Sequence, residues 1–183
     1  MALIGAMLMT ILLSTALGGM AIVAGIERRA AAAYRTSVEL RAAAEGAVIV
    51  TARELESADW DGALAGAGSA LWRSPPAGLD VAALTGETQA ETMMTSAHGA
   101  DTPVWRVFAQ GPWPSVTGQP GRAVMLSWVA DDWTEQDGDA RRDSNGLLLV
   151  RAIAAAGPAQ AWAEALCARG QDGRVTLRHI RSW

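Results

Sequence analysis

The chain has no lysine, a single cysteine, one phenylalanine, one tyrosine, and no charged side chain before Glu27. Each shortage closes off a class of explanation. Cys167 has no partner for an intramolecular disulfide, so the fold must hold by packing alone. The 15 basic residues are all arginine and are outnumbered by 19 acidic ones; with a net charge of −4 the basic face that nucleic-acid binding requires is missing. The two histidines, His98 and His179, lie far apart in the sequence, and no Ser-His-Asp or zinc-ligand spacing surrounds either, which removes the common routes to catalysis. No glycine-rich phosphate loop follows a strand pattern, and no small-molecule substrate is expected.

The absence of charge also defines the chain's leading feature. Residues 1–26 read MALIGAMLMTILLSTALGGMAIVAGI, longer than the roughly 20 apolar residues that cross a bilayer core as a helix. The run is too long for a signal-peptide core and has no basic start, so a retained anchor is expected. No proline occurs until Pro75, and only Gly46 interrupts the helix formers between Gly25 and Gly62. Apolar residues recur at Tyr34, Val38, Ala42, Ala43, Ala47, Val50 and Leu55, one stripe of a helix. One helix of about 55 residues, roughly 80 Å long, is predicted. Its 1–26 part is apolar all round and its 27–57 part amphipathic. Small residues, among them Gly18, Gly19 and Gly25, present shallow surfaces on which neighbouring helices can approach closely.

The remainder suffices for one modest domain. Asp59-Trp60-Asp61-Gly62 suggests a short helical turn through Leu64, and 58–102 is otherwise read as irregular, Gly- and Pro-punctuated chain without a clear period. From Pro103 onward β-branched and aromatic residues alternate between turn signals. Strands are predicted over Val104–Ala109, Ala123–Ala130, Gly146–Ala155, Ala159–Arg169 and Arg174–Arg181, with a turn segment from Gly111 to Gly121. The fold class is therefore α+β: one long N-terminal helix packed on a C-terminal antiparallel sheet of four to five strands spanning 103–183. Eight tryptophans supply core and half-exposed sheet surface, and Cys167 reads as a small core side chain.

The most polar stretch is 131–146, where Asp131, Asp132, Glu135, Asp137, Asp139 and Asp143 crowd between two predicted strands. A solvated, turn-rich hairpin loop is the plain reading. The sharper one is a Ca²⁺ site of hard oxygen ligands with Asp132, Asp137, Asp139 and Asp143 as candidates, although the spacing is not that of an EF-hand.

GIERRAAAAYRTSVELRAAAEGAV, from Gly25 to Val48, resembles the N-terminal region of PilX-type minor pilins. Glu27-Arg28 match the charged cluster after the apolar span, Tyr34-Arg35 the middle piece, and Ala43-Ala44-Glu45-Gly46 the Ala-Ala-Glu-Ala/Gly motif. Asp59-Trp60, Pro103-Val104-Trp105-Arg106 and Trp128–Asp132 with Asp137–Asp139 are similar, more loosely, to pilus-assembly proteins. The resemblance implies a non-enzymatic subunit of a type IV pilus or related pseudopilus, with a priming or tip role. It implies an inner-membrane anchor with the head in the periplasm, and a cell-surface location once assembled. Its partners would be other pilins, met through the N-terminal helix. Glu27 or Glu45 would then pair with an arginine of a neighbour, and Gly18, Gly19, Gly25 and Arg28 would complete the assembly surface. Major pilins carry a glutamate at the fifth mature position; here that place falls on Thr10 or Gly5, depending on processing, and certain minor pilins are similar in lacking it. Arg28, Arg29, Arg35 and Arg41 all follow the span, which by charge alone favours a cytoplasmic C-terminal side. A short basic leader or a dedicated export route would reconcile the two. The alternative is a bitopic membrane protein whose head binds a ligand or partner outside any filament.

Overall fold

The computed structural model describes residues 2–70, 72–74, 78–95, 98–113, 123–135 and 137–183. Helix α1 runs Ala2–Leu55, and the chain divides inside it into two compact units, Met1–Val38 and Glu39–Trp183. In the first unit the described side chains lie almost wholly uncovered, and α1 is long and apolar enough to cross a membrane. Two threonine hydroxyls there are satisfied within the helix: Thr10 donates to the carbonyls of Ala6 and Met7, and Thr15 to those of Ile11 and Leu12. No polar side-chain group at these two positions then needs water, which is what a hydrocarbon surrounding demands.

The second unit is built on a five-stranded antiparallel sheet in simple meander order, β1 (Arg106–Pro112), β2 (Val124–Asp131), β3 (Leu147–Ala156), β4 (Ala159–Arg169) and β5 (Val175–Ser182). The β3–β4 hairpin turns on two residues, Gly157 with φ 61° and Pro158, whose ring holds φ negative. Glycine first and a negative φ second is the order a type II′ turn requires, and the twist of that turn matches the strands it joins. Four strands start and end within one residue of expectation, β4 without any difference. β1 begins later and runs on to Pro112, because the Trp105 amide donates to Gln89 Oε1 (3.0 Å) instead of to the ladder. Proline is tolerated at its end because β1 is an edge strand. The turn expected over 111–121 lies, from 114 on, outside the described residues.

Both faces of the sheet are covered. On one face the last turns of α1 bury Leu40, Ala43, Ala44, Ala47, Val48, Thr51, Ala52 and Leu55, at alternating steps of three and one. The predicted stripe thus holds at Ala43, Ala47 and Leu55, whereas Tyr34, Val38 and Ala42 are exposed. Alanine recurs on the opposing side too, as Ala152, Ala154, Ala161, Ala163 and Ala165 of the same cluster, beside Met125, Leu148 and Val150. Cys167 is buried there, and burial pushes its thiol up to about 12. The Thr51 hydroxyl crosses this seam to Ser127 Oγ at 2.8 Å. Gly46 makes room for an indole: a Cβ at that position would collide with Cη2 of Trp113.

The other face carries a helix that the sequence reading treated as irregular chain. α3 (Val81–Thr95) packs with Leu79, Val81 and Leu84 against Trp105, Leu126, Trp128 and Ile153. Asp80 caps its start, its carboxylate accepting from the Ala83 amide at 3.0 Å. The rest of the stripe that α3 turns inward is polar, Thr85, Thr88, Gln89 and Thr92. Two of these residues hold tryptophans of the sheet: Trp128 Nε1 donates to Thr85 Oγ1 (2.8 Å) and Trp105 Nε1 to Thr92 Oγ1 (2.7 Å).

The end of α1 is fixed by β4. Arg169 Nη2 donates to the carbonyls of Leu55 (2.8 Å) and Ala58 (2.9 Å), and its guanidinium lies 4.1 Å from the ring centroid of Trp60. Trp60, on the short helix α2 (Trp60–Leu64), adds its own Nε1 to the Leu55 carbonyl at 2.8 Å. A planar cation at a helix C-terminus satisfies carbonyls that the helix cannot. At the sheet's edge, β1 is shielded by the segment around Ser69–Arg73, through Ser69 N to Phe108 O and Gln110 N to Trp72 O.

Candidate functional site

Two regions carry the sequence-derived candidates. In the first unit, Gly18, Gly19 and Gly25 have nothing within 4 Å of where a Cβ would stand, and Glu27 and Arg28 are exposed. These five positions therefore offer an uncovered helical surface. Glu45 differs, since it belongs to the sheet-bearing unit and accepts a 2.6 Å hydrogen bond from Ser182 Oγ on β5. Within the chain that carboxylate is a clasp between α1 and the last strand.

The second region is the acidic loop 131–146. Asp131, Asp132 and Glu135 are buried, and their carboxylates offer oxygens within 4.8 Å of one another. Of the four residues expected to ligate a cation, only Asp132 belongs to this group. Asp137 and Asp139 are exposed and cap turns, accepting from the Asp139 and Arg141 amides, and Asp143 accepts from the Gly146 and Leu147 amides. Glu135 ties the loop closed with four hydrogen bonds from the Ser144 amide and hydroxyl and the Asn145 amide. Asp132 accepts from Thr134 Oγ1 (2.6 Å) and Asn145 Nδ2 (2.9 Å).

Burial of Asp131, with the Glu135 carboxylate beside it, raises its pKa from 3.8 to about 8. Burial raises Asp143 as well. A hard cation would find its donors in Asp131, Asp132 and Glu135, but much of the capacity of Asp132 and Glu135 already closes the loop. What the arrangement holds readily is a proton on Asp131, which relieves the repulsion among three buried carboxylates.

The sequence reading missed a third cluster, on the α3 face. Arg151, buried in the middle of β3, bonds Glu164 of β4 and Glu91 of α3, both at 2.7 Å, and Glu164 also receives Arg181 of β5 at 2.7 Å. Arg151 lies 5.1 Å from the Trp105 ring and 5.9 Å from that of Trp183. Its signal was visible in advance: one arginine inside the otherwise apolar run Leu147–Ala156 needs a buried partner.

Compared with known proteins, the chain matches no family model, no curated protein and no solved structure.

Proposed function

We propose that this chain is a PilX-like minor pilin, a non-enzymatic structural subunit of a type IV pilus or related pseudopilus. Before assembly it is held in the inner membrane by its apolar helix, with the sheet-bearing unit in the periplasm; afterwards it is exposed at the cell surface. The observation that carries the reading is α1 itself: an apolar length with no buried surface in its first part continues, as one helix, into the core of an antiparallel sheet domain. The motifs from Glu27 to Gly46 support it by resemblance. Assembly then proceeds by lateral packing of apolar helices, with Gly18, Gly19 and Gly25 allowing close approach and Glu27 and Arg28 pairing with charges of neighbouring subunits.

The test is fractionation. Filaments sheared from the cell surface are probed for the chain; its presence there, and its loss in Gly18→Ile/Gly19→Ile, are the expected results. Detection in the inner membrane alone overturns the proposal and leaves the bitopic reading.

A further inference from the structure

On the face of the sheet that bears α3, two cavities of about 320 Å³ and about 350 Å³ lie side by side and share Glu91. Trp133 lines the first; Trp162 and Trp183 line the second. Two of these indoles are held in fixed planes by a stacked neighbour. Trp133 lies against His98 (6.0 Å between centroids, 13° between planes), and Trp162 lies against Trp128 (5.7 Å, 12°). Trp133 and Trp183 nonetheless remain 44% and 47% exposed, a large apolar area to leave in water.

The polar groups around them divide into two sets. Arg151 and Arg181 are balanced by Glu164 and Glu91 within the chain, so the walls attract neither a strong anion nor a strong cation through them. Glu87 and Gln160 add a carboxylate and an amide to the second cavity. A further polar residue there is Thr88, 2% exposed, whose Oγ1 is buried without a hydrogen-bond partner among the described residues. Its neighbours along α3 show how unusual this is: Thr85, Thr92 and Thr95 each place their hydroxyl on the carbonyl four residues back. A buried hydroxyl left unpaired is costly, and Thr88 is one of the residues around this cavity.

A fixed, half-exposed indole plane at Trp133 and a second half-exposed indole at Trp183, beside carboxylates, an amide and an unpaired hydroxyl, match one ligand chemistry. A pyranose ring presents a C–H face that lies on an aromatic face, and a rim of hydroxyls that donate to carboxylates and exchange hydrogen bonds with amide and hydroxyl groups. We propose that this groove binds a short neutral oligosaccharide, with sugar rings stacked on Trp133 and Trp183 and ring hydroxyls meeting Thr88, Glu91 and Gln160. The inference is independent of filament assembly, since a groove of this kind serves an assembled or an unassembled subunit equally.

The full chain, in nanodiscs of phosphatidylethanolamine and phosphatidylglycerol that carry neither sugar nor choline headgroups, is applied to a printed oligosaccharide array. The best-binding disaccharide is then titrated against tryptophan fluorescence. Saturable binding is expected, weakened about tenfold by Trp133→Ala or Trp183→Ala, as for aromatic anchors of other interfaces. Thr88→Val, which keeps the side-chain shape, is expected to weaken it about fivefold while leaving near-ultraviolet circular dichroism unchanged. Tyr34→Ala, in the other unit, should bind as the parent does. An array without signal overturns the proposal, as does binding that survives the Trp133, Trp183 and Thr88 substitutions together. Binding of choline chloride in place of any sugar also overturns it, because it would mark the indoles as a cage for a cation.

Discussion

Replacing Arg169 by alanine removes the cation that closes the C-terminal end of α1 onto β4. The two carbonyls it serves do not lose equally. Leu55 O keeps the Trp60 indole donor at 2.8 Å, whereas Ala58 O loses the Arg169 donor. A hydrogen bond from a charged donor contributes about 1.5–3 kcal/mol. The guanidinium over Trp60 adds about 1 kcal/mol and its place at a helix C-terminus about 0.5 kcal/mol. Against this, the buried Arg169 Nε has no acceptor among the described residues, and removing that group returns about 1 kcal/mol. The net expectation is a loss of about 2–3.5 kcal/mol, which at an m-value of about 2 kcal/mol per molar urea lowers the midpoint by about 1–1.8 M. Arg169→Lys keeps the charge but not the planar fork and should fall between the two. Urea titration of the full chain in detergent, followed by tryptophan fluorescence, measures all three proteins. A loss under about 0.5 kcal/mol for alanine, within the range of an ordinary surface change, refutes the assignment of this arginine as the cap of α1.

The acidic loop gives a pH dependence of definite sign. Folded Asp131 keeps its proton up to about 8, but the unfolded residue only to 3.8, so between these values the folded chain binds more protons. The contribution is complete below 3.8 and fades as pH rises through about 8; Asp143, shifted in the same direction, adds to it. Denaturation midpoints measured across that window should fall with rising pH and fall less steeply in Asp131→Asn; a slope unchanged by this substitution would rule the residue out as the source. At the seam between α1 and the sheet, Thr51→Val strands Ser127 Oγ and should cost about 1–3 kcal/mol, while Thr51→Val/Ser127→Ala should recover most of that loss. Equal losses in the single and the double variant would show that the hydroxyl pair is not coupled.

How much of this was legible in the sequence depends on what each element uses to pack. The sheet strands are apolar or alternating runs bounded by glycine, proline or aspartate, so their limits stand in the chain: β2 and β3 are buried continuously and β4 alternates. α1 was visible from the long absence of charge and proline, but which of its faces turns inward was not. Alanine fits inside or outside a protein equally well, and the choice between Ala42 and Ala44 is made by the sheet opposite. α3 escaped because its inner stripe of Thr85, Thr88, Gln89 and Thr92 carries a helical spacing without hydrophobicity; its anchors are hydrogen bonds to indoles far away in sequence. The acidic loop was found by composition. Its grouping of Asp131 and Asp132 with Glu135, and the use of Asp137 and Asp139 as turn caps, follow from where β2 ends.

The methyl-lined seam between α1 and the sheet has an evolutionary consequence. Where alanine faces alanine from both sides, a substitution to valine or leucine on either wall has no cavity to grow into and forces the two layers apart. Divergence at Ala44, Ala47, Ala152 or Ala163 should therefore proceed by compensated pairs, one position enlarging as its opposite shrinks to glycine. The exposed face of α1, at Ala42 and Ile49, is under no such restraint and should vary residue by residue.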